Sequence, residues 1–158
     1  MDDSKRAFMN EAIKMAVSGV ASGEGGPFGA VIVKDGKIVG RGNNRVTSIN
    51  DPTAHAEVVA IRDACKNLNT FQLDGCEIYT SCEPCPMCLG AIYWARPSKV
   101  YFGCNKNDAA AIDFDDDFIY KEISIPNSQR KIPFVGFMRE EAMAAFNAWT
   151  DKKDKVSY

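Results

Sequence analysis

The chain has 158 residues, 46% hydrophobic and 25% charged, with a formal net charge of -2. Those values fit one globular domain over residues 1–158 and exclude a disordered chain, a collagen-like repeat and a disulfide-stapled miniprotein. No apolar run approaches the ~18 residues that would mark a membrane-spanning helix. The acidic balance, with an isoelectric point near 5.4, makes nucleic acid an unlikely main partner and favours a small molecule.

Met1-Asp2-Asp3-Ser4-Lys5-Arg6 leads into an amphipathic stretch and not into an apolar signal core, so a cytoplasmic location is expected. Residues 4–20 carry Phe8, Ala12, Met15, Ala16 and Gly19 at helical spacing, with Ser4 as N-cap. Gly23 to Pro27 is a glycine-rich loop. Phe28 to Lys34 and Lys37 to Gly42 read as strands joined by Asp35-Gly36, a hairpin signal. After a polar loop from Asn43, Thr53 is placed to cap a helix from Ala54 to Asn67, with Ala56, Val59, Ala60 and Ala64 toward the core. Cys76 to Thr80 is a short buried strand, Pro86 opens a helix that Arg96-Pro97 ends, and Lys99 to Gly103 is a strand. Residues 104–131 resist assignment and include the acidic run Asp113-Phe114-Asp115-Asp116-Asp117. Pro133 to Phe137 is expected as a fifth strand, and Glu140 to Trp149 as a helix before a charged tail ending at Tyr158. The order α-β-β-α-β-α-β implies an α/β fold, a mixed sheet with helices packed on its faces.

Two fragments carry the chemistry: His55-Ala56-Glu57 and Pro84-Cys85-Pro86-Met87-Cys88. Zinc favours imidazole nitrogen and thiolate sulfur, and a catalytic zinc needs three protein ligands plus an open position for water. His55, Cys85 and Cys88 supply those three at the starts of two predicted helices, where the helix dipole favours thiolate. Glu57, two residues beyond His55, is then close to the water without having to bind the metal, and can take up and return its proton. Other readings exist for each part. A lone Cys-x-x-Cys can be a redox pair, and Cys82 could close a structural zinc site as a fourth ligand. Cys65, Cys76 and Cys104 are expected as buried, reduced core residues.

H-x-E followed by P-C-x-x-C resembles the signature of zinc-dependent nucleobase deaminases. Over nearly its whole length the chain resembles the cytidine-deaminase-like superfamily. The resemblance rests on Gly26-Pro27-Phe28-Gly29-Ala30, Thr53-Ala54-His55-Ala56-Glu57 and Ser81-Cys82-Glu83-Pro84-Cys85-Pro86-Met87-Cys88. It implies a three-layer α/β/α sandwich around a mainly five-stranded mixed sheet. Three further stretches look like the short guanine deaminases: Asn50 to Glu57, Ala91 to Pro97 and Phe114 to Tyr120. The implied activity is hydrolytic deamination of guanine to xanthine and ammonia with one zinc ion per subunit. The alternatives are a guanosine deaminase and a transfer-RNA adenosine deaminase. The latter would be expected to carry a basic face and a basic last helix, whereas Glu140 to Trp149 has only Glu140 and Glu141 as charges.

By motif position Asp116 is the residue expected to accept from guanine N1 and the 2-amino group, and to help move protons, since a carboxylate suits two adjacent donors. A solvated acidic loop is the plainer reading. Asn44, just after the second strand, is a candidate to hold the purine edge, or a turn residue. Phe28 is a candidate to stack on the base, or ordinary core. Trp94 is a pocket wall or a packing residue. In the resemblance the C-terminal segment, residues 139–158 with Tyr158, covers an active site and exchanges between the subunits of a homodimer.

Overall fold

Four strands form one sheet in the computed structural model, which describes residues 3–158. They are β1 (Gly29–Lys34), β2 (Lys37–Asn43), β3 (Glu77–Cys82) and β4 (Lys99–Cys104), in the order β2-β1-β3-β4. β1 pairs antiparallel with both β2 and β3, while β3 and β4 are parallel. The hairpin turn is made by Asp35 and Gly36, both with positive φ as a two-residue turn of this hand requires.

Strand alternation sorts the core into two layers. Val31, Val33 and Tyr79 point to one face, where α1 (Asp3–Ala21) packs through Phe8, Met9 and Ala12. Ala30, Ile32 and Ile78 point to the other, against Ala56, Ala60 and Ala64 of α2 (Ala56–Leu68) and Ile92 and Ala95 of α3 (Pro86–Ala95). β1 is covered on both sides, which explains its unbroken apolar sequence. The result is the expected three-layer α/β/α arrangement.

Small residues set the depth of this packing. A Cβ at Gly42 would overlap the backbone of Ala56 and Ala60, so this glycine lets the first turn of α2 lie directly on β2. That contact fixes the end of α2 from which His55 and Glu57 project.

The chain divides into two compact units, Met1–Asp116 and Asp117–Tyr158. The first holds the sheet, α1 to α3 and a short α4 (Lys106–Ala110). Asn105 and Asp108 close a reciprocal capping box on α4. The second unit holds α5 (Asp117–Ser124), a 3-10 turn (Asn127–Gln129) and α6 (Arg139–Asp151), and none of its residues is buried.

The structure corrects several sequence expectations. Pro133 to Phe137 is not a strand, so the described residues give a sheet of four strands and not five. Pro133 lacks a ladder donor, Gly136 weakens a strand, and no strand lies in that unit to pair with. α2 starts at Ala56 with His55 as its N-cap; Thr53 instead bonds Asp51, through both its amide and its hydroxyl. Val59 is only half-buried, while Glu57 joins Ala56 as a buried residue of the first turn. Cys76 is buried as expected, but Cys65 is half-buried and Cys104 is exposed at the end of β4.

Candidate active site

Two helix N-termini meet at the ends of the strands. His55 is the N-cap of α2 and Cys85 the N-cap of α3, both with extended backbone, and neither spends its side chain on capping. Pro86 in the first turn costs α3 nothing, since that amide has no partner inside the helix. Cys88 lies one turn along, so both sulfurs face the same side. Each sulfur stands 3.5 Å from His55 Nδ1. The three donor atoms lie within 4.8 Å of one another, and among the described residues theirs is the group able to hold a metal ion.

The donor chemistry fits zinc. One imidazole and two sulfurs are a borderline-soft set, and three ligands leave a position open. Cys82 does not close the set: it is buried away from the group, with its sulfur 3.7 Å from the Asn105 carbonyl. Burial pushes its thiol up to about 11, which suits an inert core cysteine. Cys85 behaves in the opposite way. A hydrogen bond from the Cys88 thiol, reinforced by His55, brings it down to about 4. The proton left on Cys88 is held there by the same contact, so its thiol is pushed up, and His55 is pushed up by its bond to Cys85. Metal binding removes the remaining thiol proton, because the metal ligand is thiolate.

Glu57 sits in the first turn of α2 and is 6% exposed. Its Oε2 is 3.4 Å from Cys88 Sγ, and its Oε1 accepts a hydrogen bond from the Thr80 hydroxyl at 3.1 Å. Burial raises its pKa above the usual carboxylate range. The group is therefore beside the metal cluster, outside the ligand set, and disposed to hold a proton.

Backbone hydrogen bonds tie the Asn44 amide to the Phe28 carbonyl at 3.0 Å, and the Arg45 amide to the carbonyl of Ala54, next to His55, at 2.9 Å. Asn44 is buried; its Oδ1 accepts from the Gly26 and Val46 amides, both at 3.2 Å. Two N–H donors on one atom fix that atom as oxygen, so the NH2 end of Asn44 is the one these amides do not hold. Phe28 is half-buried and meets Phe114 edge to face, with ring centroids 4.9 Å apart. Asp116 is half-buried, and its pKa is raised first by burial and next by the negative charge on Cys85. It thus shares the electrostatic surroundings of the cluster. Trp94 lies six residues beyond Cys88, about 9 Å along the helix axis, and is 65% exposed. Tyr158 is exposed at the end of the second unit.

Sequence reasoning missed Thr80 and Phe114. Phe114 was hidden inside an acidic run, although an aromatic flanked by aspartates is itself unusual for a solvated loop. Thr80 carried one weak signal, a hydroxyl in a strand otherwise reading as core.

Residues 2–104 match the family described as the cytidine and deoxycytidylate deaminase zinc-binding region. The chain is 57% identical over 151 residues to a guanine deaminase of Bacillus subtilis, covering 96% of this chain and 97% of that protein. A transfer-RNA-specific adenosine deaminase of Aquifex aeolicus is 46% identical over 98 residues, which is 62% of this chain and 64% of that one. The X-ray structure of guanine deaminase from Bacillus subtilis superimposes with a TM-score of 0.94 at 56% identity, covering 97% of this chain and 98% of that one.

Proposed function

This chain belongs to the cytidine and deoxycytidylate deaminase zinc-binding family, and from that membership we propose that it hydrolyses guanine to xanthine and ammonia, with zinc held by His55, Cys85 and Cys88. The observation that carries the substrate is the reach of the similarity. Likeness to the guanine deaminase covers 96% of the chain, and so takes in Asp116 and the segment after it, whereas likeness to the transfer-RNA enzyme covers 62%. The net charge of -2 supports the same choice, since a transfer-RNA enzyme needs a basic face.

Zinc, when held by His55, Cys85 and Cys88, would acidify a water and so supply the nucleophile for C2 of guanine. Glu57 accepts one proton of that water and passes it to the ring nitrogen beside C2, then accepts the second from the hydroxyl added at C2 and delivers it to the departing amine as the C–N bond breaks. Asp116 accepts hydrogen bonds from N1 and the 2-amino group, Asn44 holds the purine edge through its NH2, and Phe28 lies against the base. Ammonia release from guanine, guanosine, cytosine, cytidine and adenine, measured side by side on zinc-loaded protein, tests this. Release from guanine alone is expected. Release from guanosine instead would keep the chemistry and open the pocket at N9; silence on all five would overturn the substrate assignment.

The protein works as a homodimer. α3 contains no charged residue, and Leu89, Tyr93 and Trp94 on it are exposed, a composition that belongs to a covered helix. Phe134, Phe137 and Phe146 in the second unit are exposed as well. A second copy supplies the cover: Trp94 packs at the interface, and residues 139–158 exchange so that Tyr158 reaches the partner's site. Light scattering is expected to give twice the chain mass of 17.4 kDa, and a monomer mass would overturn the dimer. Six free thiols fit a reducing compartment, the cytoplasm, and no helix among the described residues is long and apolar enough to cross a membrane.

A further inference from the structure

Thr80 stands near the end of β3, between Ala30 of β1 and Phe102 of β4. Alternation along the strand puts it on the face of Ile78 and Cys82. Its near neighbours on that face, Ala30 and Ile78, belong to the apolar layer under α2 and α3. It is 1% exposed. A valine has the same shape, favours strands and carries no polar atom, so packing alone does not explain a hydroxyl here. The hydroxyl's hydrogen bond runs to Glu57 Oε1, at 3.1 Å. The opposite oxygen of the same carboxylate, Oε2, is the one 3.4 Å from Cys88 Sγ.

We propose that Thr80 is a positioning residue: its hydroxyl pins Glu57 Oε1 to the sheet, so that Oε2 faces the His55–Cys85–Cys88 group and the reacting atoms. A glutamate reaches its carboxylate through three rotatable bonds, and without an anchor those bonds leave the carboxylate plane free to turn. The anchor sits on a strand paired on both sides, the rigid kind of element on which positioning depends.

The inference rests on the deaminase reading, and its test separates the two. Thr80→Val removes the hydroxyl and keeps the shape, Thr80→Ser keeps the hydroxyl and removes the methyl, and Thr80→Ala removes both. With guanine as substrate, Thr80→Val is expected to lower kcat by about 10- to 100-fold, the scale of a misplaced catalytic group, with KM within about threefold. Zinc content and thermal midpoint stay near those of the wild type. Thr80→Ser is expected to recover kcat to within about threefold of wild type, as a bond-preserving change should. Thr80→Ala repeats the loss of the valine variant. Crystals of metal-free Thr80→Val are expected to show Glu57 Oε1 displaced from its wild-type position. Wild-type kcat in Thr80→Val with Glu57 unmoved would overturn the proposal, and so would an equal loss in Thr80→Ser. A wild-type protein silent on guanine would overturn the deaminase reading, and the position of Glu57 in the crystals would then decide the role of Thr80 alone.

Discussion

Glu57→Gln is expected to lower kcat on guanine by about 10³-fold or more, towards the upper end of what a general acid–base group contributes. Zinc content and KM should change little. The substitution keeps the volume of a side chain that is 6% exposed, and the amide oxygen can still accept from the Thr80 hydroxyl. What it removes is the ability to carry a proton. Burial raises the pKa of Glu57, so the protein favours its neutral form more than water does. A base of that kind gains a proton readily once the nucleophile forms, and the buried site then favours keeping it until substrate takes it. Glutamine has no such state. Metal analysis and steady-state kinetics on the same preparation check this: turnover retained with zinc bound would remove Glu57 from the chemistry, whereas zinc lost together with turnover would make it a structural support of the site.

The metal group was legible because its parts are local. His55 and Glu57 share one helix start, Cys85 and Cys88 share another, and Pro86 marks where the second begins. Spacing within a turn then dictates which side chains face together. The sandwich was legible for a similar reason: the valine and isoleucine run in β1 and the alanine stripe of α2 each state how many faces are covered. Other features depend on partners distant in sequence. Thr80 and Glu57 lie 23 residues apart and meet only when the sheet receives α2. The Phe28 contact to Phe114 spans most of the first unit. Thr53 has the right residue type for a cap, but Asp51 two residues earlier claims its amide and hydroxyl, and the helix begins later. Pro133 to Phe137 has the apolar content of a strand without a neighbour in its own unit, and composition cannot supply a neighbour. Cys104 is the last residue of β4, beyond the part of the strand where Val100 packs against the core, so its residue type pointed inward while its position faces solvent.

Asp116→Asn is expected to cut kcat/KM for guanine by about 10³-fold, because a site built to pair with particular substrate donors discriminates strongly once that pairing fails. Guanine offers two adjacent donors, N1–H and the 2-amino group. A carboxylate accepts both, while an amide presents an oxygen to one and its own hydrogens to the other. The change is isosteric at a half-buried residue outside the ligand group, so zinc content and thermal midpoint should hold. The pH profile adds an independent reading. In the proposed role Asp116 accepts both donors only when ionised, and partial burial raises its pKa from the ordinary value of 3.8. Activity that depends on it is therefore complete at high pH and falls as pH drops through that raised pKa, sooner than for an exposed aspartate. The asparagine variant has no such group to titrate, so its acid limb should report the Glu57 base alone while it runs at a lower plateau. An Asn variant with wild-type kcat/KM and an unchanged acid limb would return Asp116 to the solvated acidic loop.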